Sequence, residues 1–476
     1  MIMKKYIVCV ALFLFFLSSC NNFLALSPEH QINENNFYKT EADFENALIG
    51  VYASFREIYT HEIFYLAELT SDNTEVSISS SSVAEMEFDE MNITPSNTIV
   101  QGFWTKALFT IARANILLQR LEQSDVSVES KDRIASETKF IRAYSYFLMV
   151  QIFGRSPITH GEFRSPEDIA NADLSLKSLE EVYAEIIKDL KEAEEIADDD
   201  FQEDKGRVSL GAIQGLLGKV YLTRHQYTEA IHTLGSLIER NVYSLEPDYK
   251  TLFSPGNNNT KESLFELKFI SGFNQGNEYS VLFTPASIGL LANNQQGSGR
   301  ITPSLDLMDA YEEGDVRKQA SVGDTIRPNG VKEYSRHGLK FVDLNAENPR
   351  DGSVHFTVLR YADVLLMYAE ALNEDDDIGG AQTYLNMVRS RADLEELEIS
   401  NKEDMRESIA KERRLELAYE AHRWFDLLRT GRTQETMNSF FVGKGLTFTV
   451  QNHELIFPIP RREIDINPEL GQNDGY

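Results

Sequence analysis

The chain has 476 residues, with Lys+Arg at 46 and Asp+Glu at 75, for a formal net charge of −29. That balance disfavours nucleic acid and anionic lipid heads as partners and suits solubility at a crowded surface. The only cysteines are Cys9 and Cys20, and Cys9 lies in a segment that reads as removed, so the mature body has no internal disulfide and no cysteine-ligated metal site.

The chain opens with Lys4 and Lys5, then the apolar run IVCVALFLFFL over residues 7–17, then Ser18, Ser19 and Cys20. A basic start, a short apolar core and small residues before a cut make a secretory signal peptide over residues 1–19. The run is too short to span a bilayer, which takes about 20 residues. Leu17-Ser18-Ser19-Cys20 resembles a bacterial lipobox, in which the cysteine thiol is acylated and becomes the first mature residue. Residues 20–39 then read as lipid anchor and tether.

Thr40-Glu41-Ala42-Asp43 is a capping-box pattern, and Phe44, Leu48, Val51, Phe55 and Ile58 follow at helical spacing. Residues 60–99 lose that periodicity and read as a long loop of the kind that carries binding residues. Trp104, Leu108, Ile111, Asn115, Leu118 and Leu121 mark a second helix, with Asn115 as a buried amide. Phe140 to Ile152 marks a third, stopped by Gly154 and Pro157. Ser178-Leu179-Glu180-Glu181 is another capping box, opening a helix through Val182, Ile186 and Leu190.

In residues 209–240, Leu217, Gly218, Tyr221, Ala230 and Leu234 resemble the contact positions of a tetratricopeptide helix pair. Ala369, Ala381 and Leu385 suggest a second such pair, joined by Asp375-Asp376-Asp377. The expected fold is mostly α, a tetratricopeptide-like scaffold over 40–250 and 356–476, with an irregular loop and short-strand insertion over 251–355. Within the insertion, Phe265, Leu267 and Phe269 alternate with Glu266 and Lys268 as a half-buried strand. A single helix near 404–430 carries Glu412, Arg413, Glu416, Glu420 and Arg423 at spacings that let opposite charges pair along one face.

Ile459-Pro460, then Asn467-Pro468-Glu469-Leu470 and Gln472-Asn473-Asp474-Gly475-Tyr476, closely resemble the C-terminus of the SusD/RagB family. So do RYADVLLMYAEALNE (360–374) and ERRLELAYEAHRWFDLLRTG (412–431). The front matches in Cys20-Asn21-Asn22-Phe23-Leu24, Pro28, and Ala47-Leu48-x-Gly50-x-Tyr52. These segments bracket nearly the whole mature chain. The resemblance implies an outer-membrane lipoprotein that binds glycans or peptides. It further implies docking as a lid on a TonB-dependent outer-membrane β-barrel transporter, and a ligand site in the insertion and the loop after the first helix.

Catalytic motifs are absent from the sequence: there is no G-x-S-x-G and no H-E-x-x-H. His225 and His232 have no third ligand nearby and read as surface or satisfied histidines. No cofactor or metal is expected. A carboxylate pair of glycosidase type stays open, because nothing in the sequence marks out two of the many acids. The reading is a non-catalytic binding lipoprotein that captures oligosaccharide, with peptide binding or a glycan-degrading enzyme as alternatives. Sugar rings have apolar faces edged by hydroxyls, so a site needs an aromatic platform among polar groups. Trp104, Tyr144 and Trp424 read as core. The ligand candidates are Tyr65, Asp72, Asn73, Phe273, Asn274, Tyr279, Arg300 and Tyr334.

Overall fold

The computed structural model describes residues 37–77, 82–197, 206–272 and 275–476. The signal peptide, Cys20, most of the tether, Phe273 and Asn274 therefore lie outside the described residues.

The scaffold starts where the capping box places it. Thr40 Oγ1 accepts from the Asp43 amide and Asp43 accepts from the Thr40 amide, opening α1 (Glu41–Ile58). After it a short turn, Glu62–Phe64, runs into a π-helical turn, Tyr65–Leu69. Next come β1 (Thr74–Val76) and α2 (Val83–Asp89). The long loop expected over 60–99 is thus largely ordered helix and strand. Its apolar residues are buried without helical period because each of these elements is too short to show one.

α3 (Thr98–Glu122), α4 (Val128–Phe153) and α5 (Leu179–Ile196) follow. α4 stops at Gly154, whose φ of +67° is the left-handed conformation glycine tolerates. Asn115 is buried as expected, donating to the Thr159 carbonyl at 2.7 Å. The first repeat pair is α6 (Leu210–Thr223) with α7 (Tyr227–Glu239). Here Gly218 is small because a β-carbon on it would sit 2.3 Å from Leu234 Cδ2.

β2 (Ser263–Leu267), β3 (Ile301–Pro303), β4 (Val322–Ile326), β5 (Glu333–Gly338) and β6 (Phe356–Arg360) belong to the insertion and its end. They form antiparallel two-stranded ribbons: β1 with β3, β2 with β6, and β4 with β5. β2 is buried on both faces rather than half-buried. Glu266 lies inside with Phe265 and Leu267, and accepts from the Asn259 amide.

The second repeat pair is α8 (Tyr361–Glu374) with α9 (Ile378–Arg391), followed by α10 (Lys402–Glu416), α11 (Arg423–Arg429) and α12 (Thr433–Gly443). α1 packs on α3 and α4, consecutive helices pack from α2 through α10, and α7 packs directly on α8 across the insertion. At that seam a β-carbon on Gly235 would stand 3.2 Å from Tyr368 Oη. The repeat array interrupted in sequence is continuous in space.

The charged helix near 404–430 is two helices. The chain breaks between α10 and α11, where Tyr419 and Ala421 take φ of +67° and +62°. Glu412, Glu416 and Glu420 do not pair along one face. Arg317 of the insertion meets Glu412 at 2.5 Å and Glu416 at 3.0 Å. Arg360 of β6 meets Glu416 at 2.5 Å and Glu420 at 2.6 Å, Lys340 meets Glu420 at 2.8 Å, and Arg391 also meets Glu416. Burial works against ionised Glu416, but Arg391, Arg360 and Arg317 outweigh it and hold the carboxyl far below its usual range. This network fixes the insertion to the scaffold. Among the described residues no helix is long and apolar enough to cross a membrane.

Candidate binding face on the β1–β3 ribbon

The ribbon joins the segment after α1 to the insertion. Its register sets Glu75 opposite Thr302 and Val76 opposite Ile301, and the Ser77 amide donates to the Arg300 carbonyl. Alternation sorts the side chains. Thr74, Ile301 and Pro303 face inward and are buried, while Glu75, Thr302 and Arg300 occupy the other, partly exposed face.

β5 lies beside β3 and widens this face. Arg336 Nη1 donates to the Pro303 carbonyl at 2.7 Å and to Glu75 at 3.0 Å. Tyr334 stands two positions back on β5, across an irregularity in the β4–β5 register, and is 68% exposed. From the end of α12, Lys444 sits 3.6 Å from both Glu75 and Asp89. α2 lies behind, presenting Glu85 to Arg300 and Asp89 to the Val76 amide at 3.3 Å. The Glu85 hydrogen bond and charge raise Arg300 further above its already high range.

Six of the eight candidates lie among the described residues and separate on this geometry. Arg300 and Tyr334 share the ribbon region with polar and aromatic groups open to solvent. Tyr65 does not offer its ring: it is buried beside Phe88 and donates to Glu85 at 3.0 Å, so it sits behind Arg300. Burial, then Glu85, push its phenol well above the usual range. Asp72 and Asn73 are buried beneath the ribbon. Asp72 accepts from Arg423 at 2.7 and 2.9 Å, and Asn73 accepts from Arg414 at 2.9 Å. Burial would raise Asp72, but Arg423 and Arg414 hold it below the ordinary carboxylate value. Tyr279 is core. Its ring meets Phe64, Phe269, Phe341 and Phe356, and its hydroxyl donates to the Val354 carbonyl at 3.0 Å. Tyr65, Asp72, Asn73 and Tyr279 are corrected on this account, since their polar atoms or ring faces are already committed. Phe273 and Asn274 lie outside the described residues. Trp104, Tyr144 and Trp424 are buried in the core as expected.

Sequence reading missed Glu75, Thr302, Glu85 and Lys444. The period-2 pattern of Arg300-Ile301-Thr302-Pro303 was a usable signal, but its partner strand is only three residues long. No group of three or more His, Cys, Asp or Glu among the described residues could hold a metal ion. His225 lies in the turn before α7 with Nδ1 2.8 Å from Tyr227 Oη, and His232 is exposed.

Comparison with known proteins gives one answer along the chain. The family model described as "SusD family" matches residues 319–476, and one described as "Starch-binding associating with outer membrane" matches residues 22–222. A SusD-like protein P2 of Formosa agariphila is 27% identical over 511 residues, covering 100% of both chains. A SusD-like protein of Bacteroides ovatus is 25% identical, covering 89% of this chain and 82% of its own. A solved laminarin-binding SusD-like protein superposes with a TM-score of 0.80 at 28% identity, covering 92% of this chain and 100% of that one.

Proposed function

The chain belongs to the SusD/RagB family, and on that premise we propose that it is a non-catalytic glycan-binding lipoprotein of the outer membrane. The observation that carries this reading is the exposed Tyr334 ring on the strand that carries Arg336, next to a ribbon whose open face bears Arg300, Thr302 and Glu75. An aromatic ring offers the apolar platform for a sugar face, and the neighbouring groups reach its hydroxyls. The likeness to a laminarin-binding protein supports the same ligand class.

Each carboxylate on the ribbon face has a cation beside it: Arg300 at Glu85, Arg336 and Lys444 at Glu75, Lys444 at Asp89. Paired carboxylates suit binding better than the acid-and-base pair a glycosidase needs. The stacked helices offer broad surfaces for a protein partner. In our reading that partner is a TonB-dependent barrel, to which the captured oligosaccharide passes while Cys20 anchors the body by its lipid.

Purified mature body should bind at least one oligosaccharide in a glycan screen and leave it intact on prolonged incubation. Binding only in a parallel peptide screen would replace glycan with peptide. Release of shorter sugars would overturn the non-catalytic reading. Tagged protein drawn from mild detergent should bring down a large β-barrel, and repeated recovery alone would remove the transporter partner.

A further inference from the structure

The ribbon face has a consistent electrostatic asymmetry. In each ion pair along it, the acid is the more buried member. Arg300 is 38% exposed at the side chain and its partner Glu85 only 3%. Arg336 and Lys444 are each more exposed than Glu75, and Lys444 more than Asp89. Glu85, set from below, holds the Arg300 guanidinium towards solvent, while Glu75 shares the open face with Arg336 and Lys444. The neighbouring hairpin carries charges of both signs. Residues 322–338 carry Arg327, Lys332 and Arg336 against Asp324 and Glu333. Lys332 is exposed two positions before Tyr334 and has no ion-pair partner among the described residues.

The face is balanced in charge, Arg300, Arg336 and Lys444 against Glu75, Glu85 and Asp89, with the cations as its more exposed members, on a chain of net charge −29. A general excess of acid is a long-range property and is screened beyond roughly 8–10 Å in physiological salt. A ligand seated on the face therefore meets the exposed heads and the acids that hold them, and the distant acids count for little. Arg300 and Arg336 are also held in place, one by Glu85 and the other by Glu75 and the Pro303 carbonyl. An arginine fixed by one carboxylate still has free N–H groups, and its planar fork matches carboxylate and sulfate oxygens. Arg300 and Arg336 are tied to the ribbon at positions 300 and 303, about 10 Å apart along a strand.

Building on the glycan reading, we propose that the face takes an anionic glycan, one bearing uronate carboxylates or sulfate esters. Arg300 and Arg336 receive the charged groups, and Tyr334 stacks against a sugar ring beside them. Uronate and sulfate present the same anionic oxygens, and the experiment separates them.

The mature body is titrated by calorimetry with neutral polymers (laminarin, starch, xylan) and anionic ones (polygalacturonate, alginate, chondroitin sulfate, carrageenan). Dextran sulfate serves as a non-specific polyanion. The expected result is binding to an anionic polymer that weakens at least tenfold between 50 and 500 mM salt, on the order expected for a few released counterions. Carboxyl reduction or desulfation of that polymer should abolish binding, and which treatment does so identifies the group. Arg336→Gln and Arg300→Gln should each weaken binding tenfold or more and flatten the salt dependence. Arg300→Lys should retain part of it. Thermal unfolding of each variant checks that the fold is intact. Salt-independent binding to a neutral polymer, unchanged in Arg336→Gln, overturns the anionic inference and leaves the glycan reading standing. Equal retention of dextran sulfate by wild type and both glutamine variants overturns it as well. Binding to no glycan of either class removes the glycan reading itself and the inference with it.

Discussion

A tyrosine serves a glycan only if one face of its ring meets solvent, and Tyr334 meets that condition while Tyr279 does not. Tyr334→Ala should weaken binding of the identified glycan by about 1 kcal/mol or more with thermal unfolding nearly unchanged. Tyr279→Ala should do the reverse, lowering stability by roughly 3–5 kcal/mol, the usual cost of deleting a buried aromatic. A calorimetric titration beside an unfolding scan separates the two, and equal stability loss at both positions would refute the distinction. Glu68 gives a second test at this scale. It is fully buried in the π-helical turn and accepts from the Ala421 amide at 2.8 Å. Burial, partly offset by that hydrogen bond, raises its carboxyl to about 7 from 4.5. Between those values the unfolded chain has released the proton and the folded chain keeps it, so stability falls as pH rises through the window. The loss is about 3 kcal/mol. His422 works in the opposite sense: burial and then Lys219 depress it to about 3, so its contribution is lost as pH falls below the unfolded value near 6.5. Glu68→Gln isolates the first effect, because the difference between wild type and variant should change steadily from pH 4.5 to 7. A constant difference would mean that Glu68 ionises normally.

At the scale of elements, the insertion is held to the repeats by charge as well as by packing. Glu416 ends α10 and receives Arg317 from the insertion, Arg360 from β6 and Arg391 from α9. Removing one member of a buried network strands the others, at a cost of roughly 3–5 kcal/mol. Glu416→Gln should therefore lower stability by that order in urea unfolding, with the ribbon face loosening because Arg317 and Arg360 lose a common partner. A change under about 1 kcal/mol would show that the remaining acids, Glu412, Glu420 and Glu262, can take up the charge. The break between α10 and α11 belongs to the same device. Tyr419 and Ala421 hold left-handed backbone while the Glu416 carbonyl accepts from Lys340, Arg360 and Tyr249. Strained backbone of this kind persists where its surroundings over-determine it.

For the whole molecule, the decisive test is where it resides. Acylation of Cys20 would add roughly 0.8 kcal/mol per buried CH₂, and no described helix is long and apolar enough to cross a membrane. Cys20→Ala should move the protein from the outer-membrane fraction to the soluble one on cell fractionation. Unchanged sedimentation with the membrane would mean that the lipid is not what holds it.

What the sequence determined by itself was what local pattern can encode: helix starts at Thr40 and Ser178, the stop at Gly154, the two repeat pairs, the core role of Trp104 and Trp424, and the family. Each is written within a few residues, by capping chemistry, by 3.6-residue periodicity, or by motifs that survive in order. Tertiary structure decided the rest. The acids Glu412, Glu416 and Glu420 have helical spacing, yet their partners come from residues far along the chain, so their pattern could not name them. Tyr65, Asp72 and Tyr279 have the composition of a site and the burial of a core, and burial depends on what folds over them. The ribbon face is made of short strands, β1 and β3, separated by more than two hundred residues. Strands that short carry too little periodicity to be read, and they gain meaning only when the backbone register sets Glu75 against Thr302.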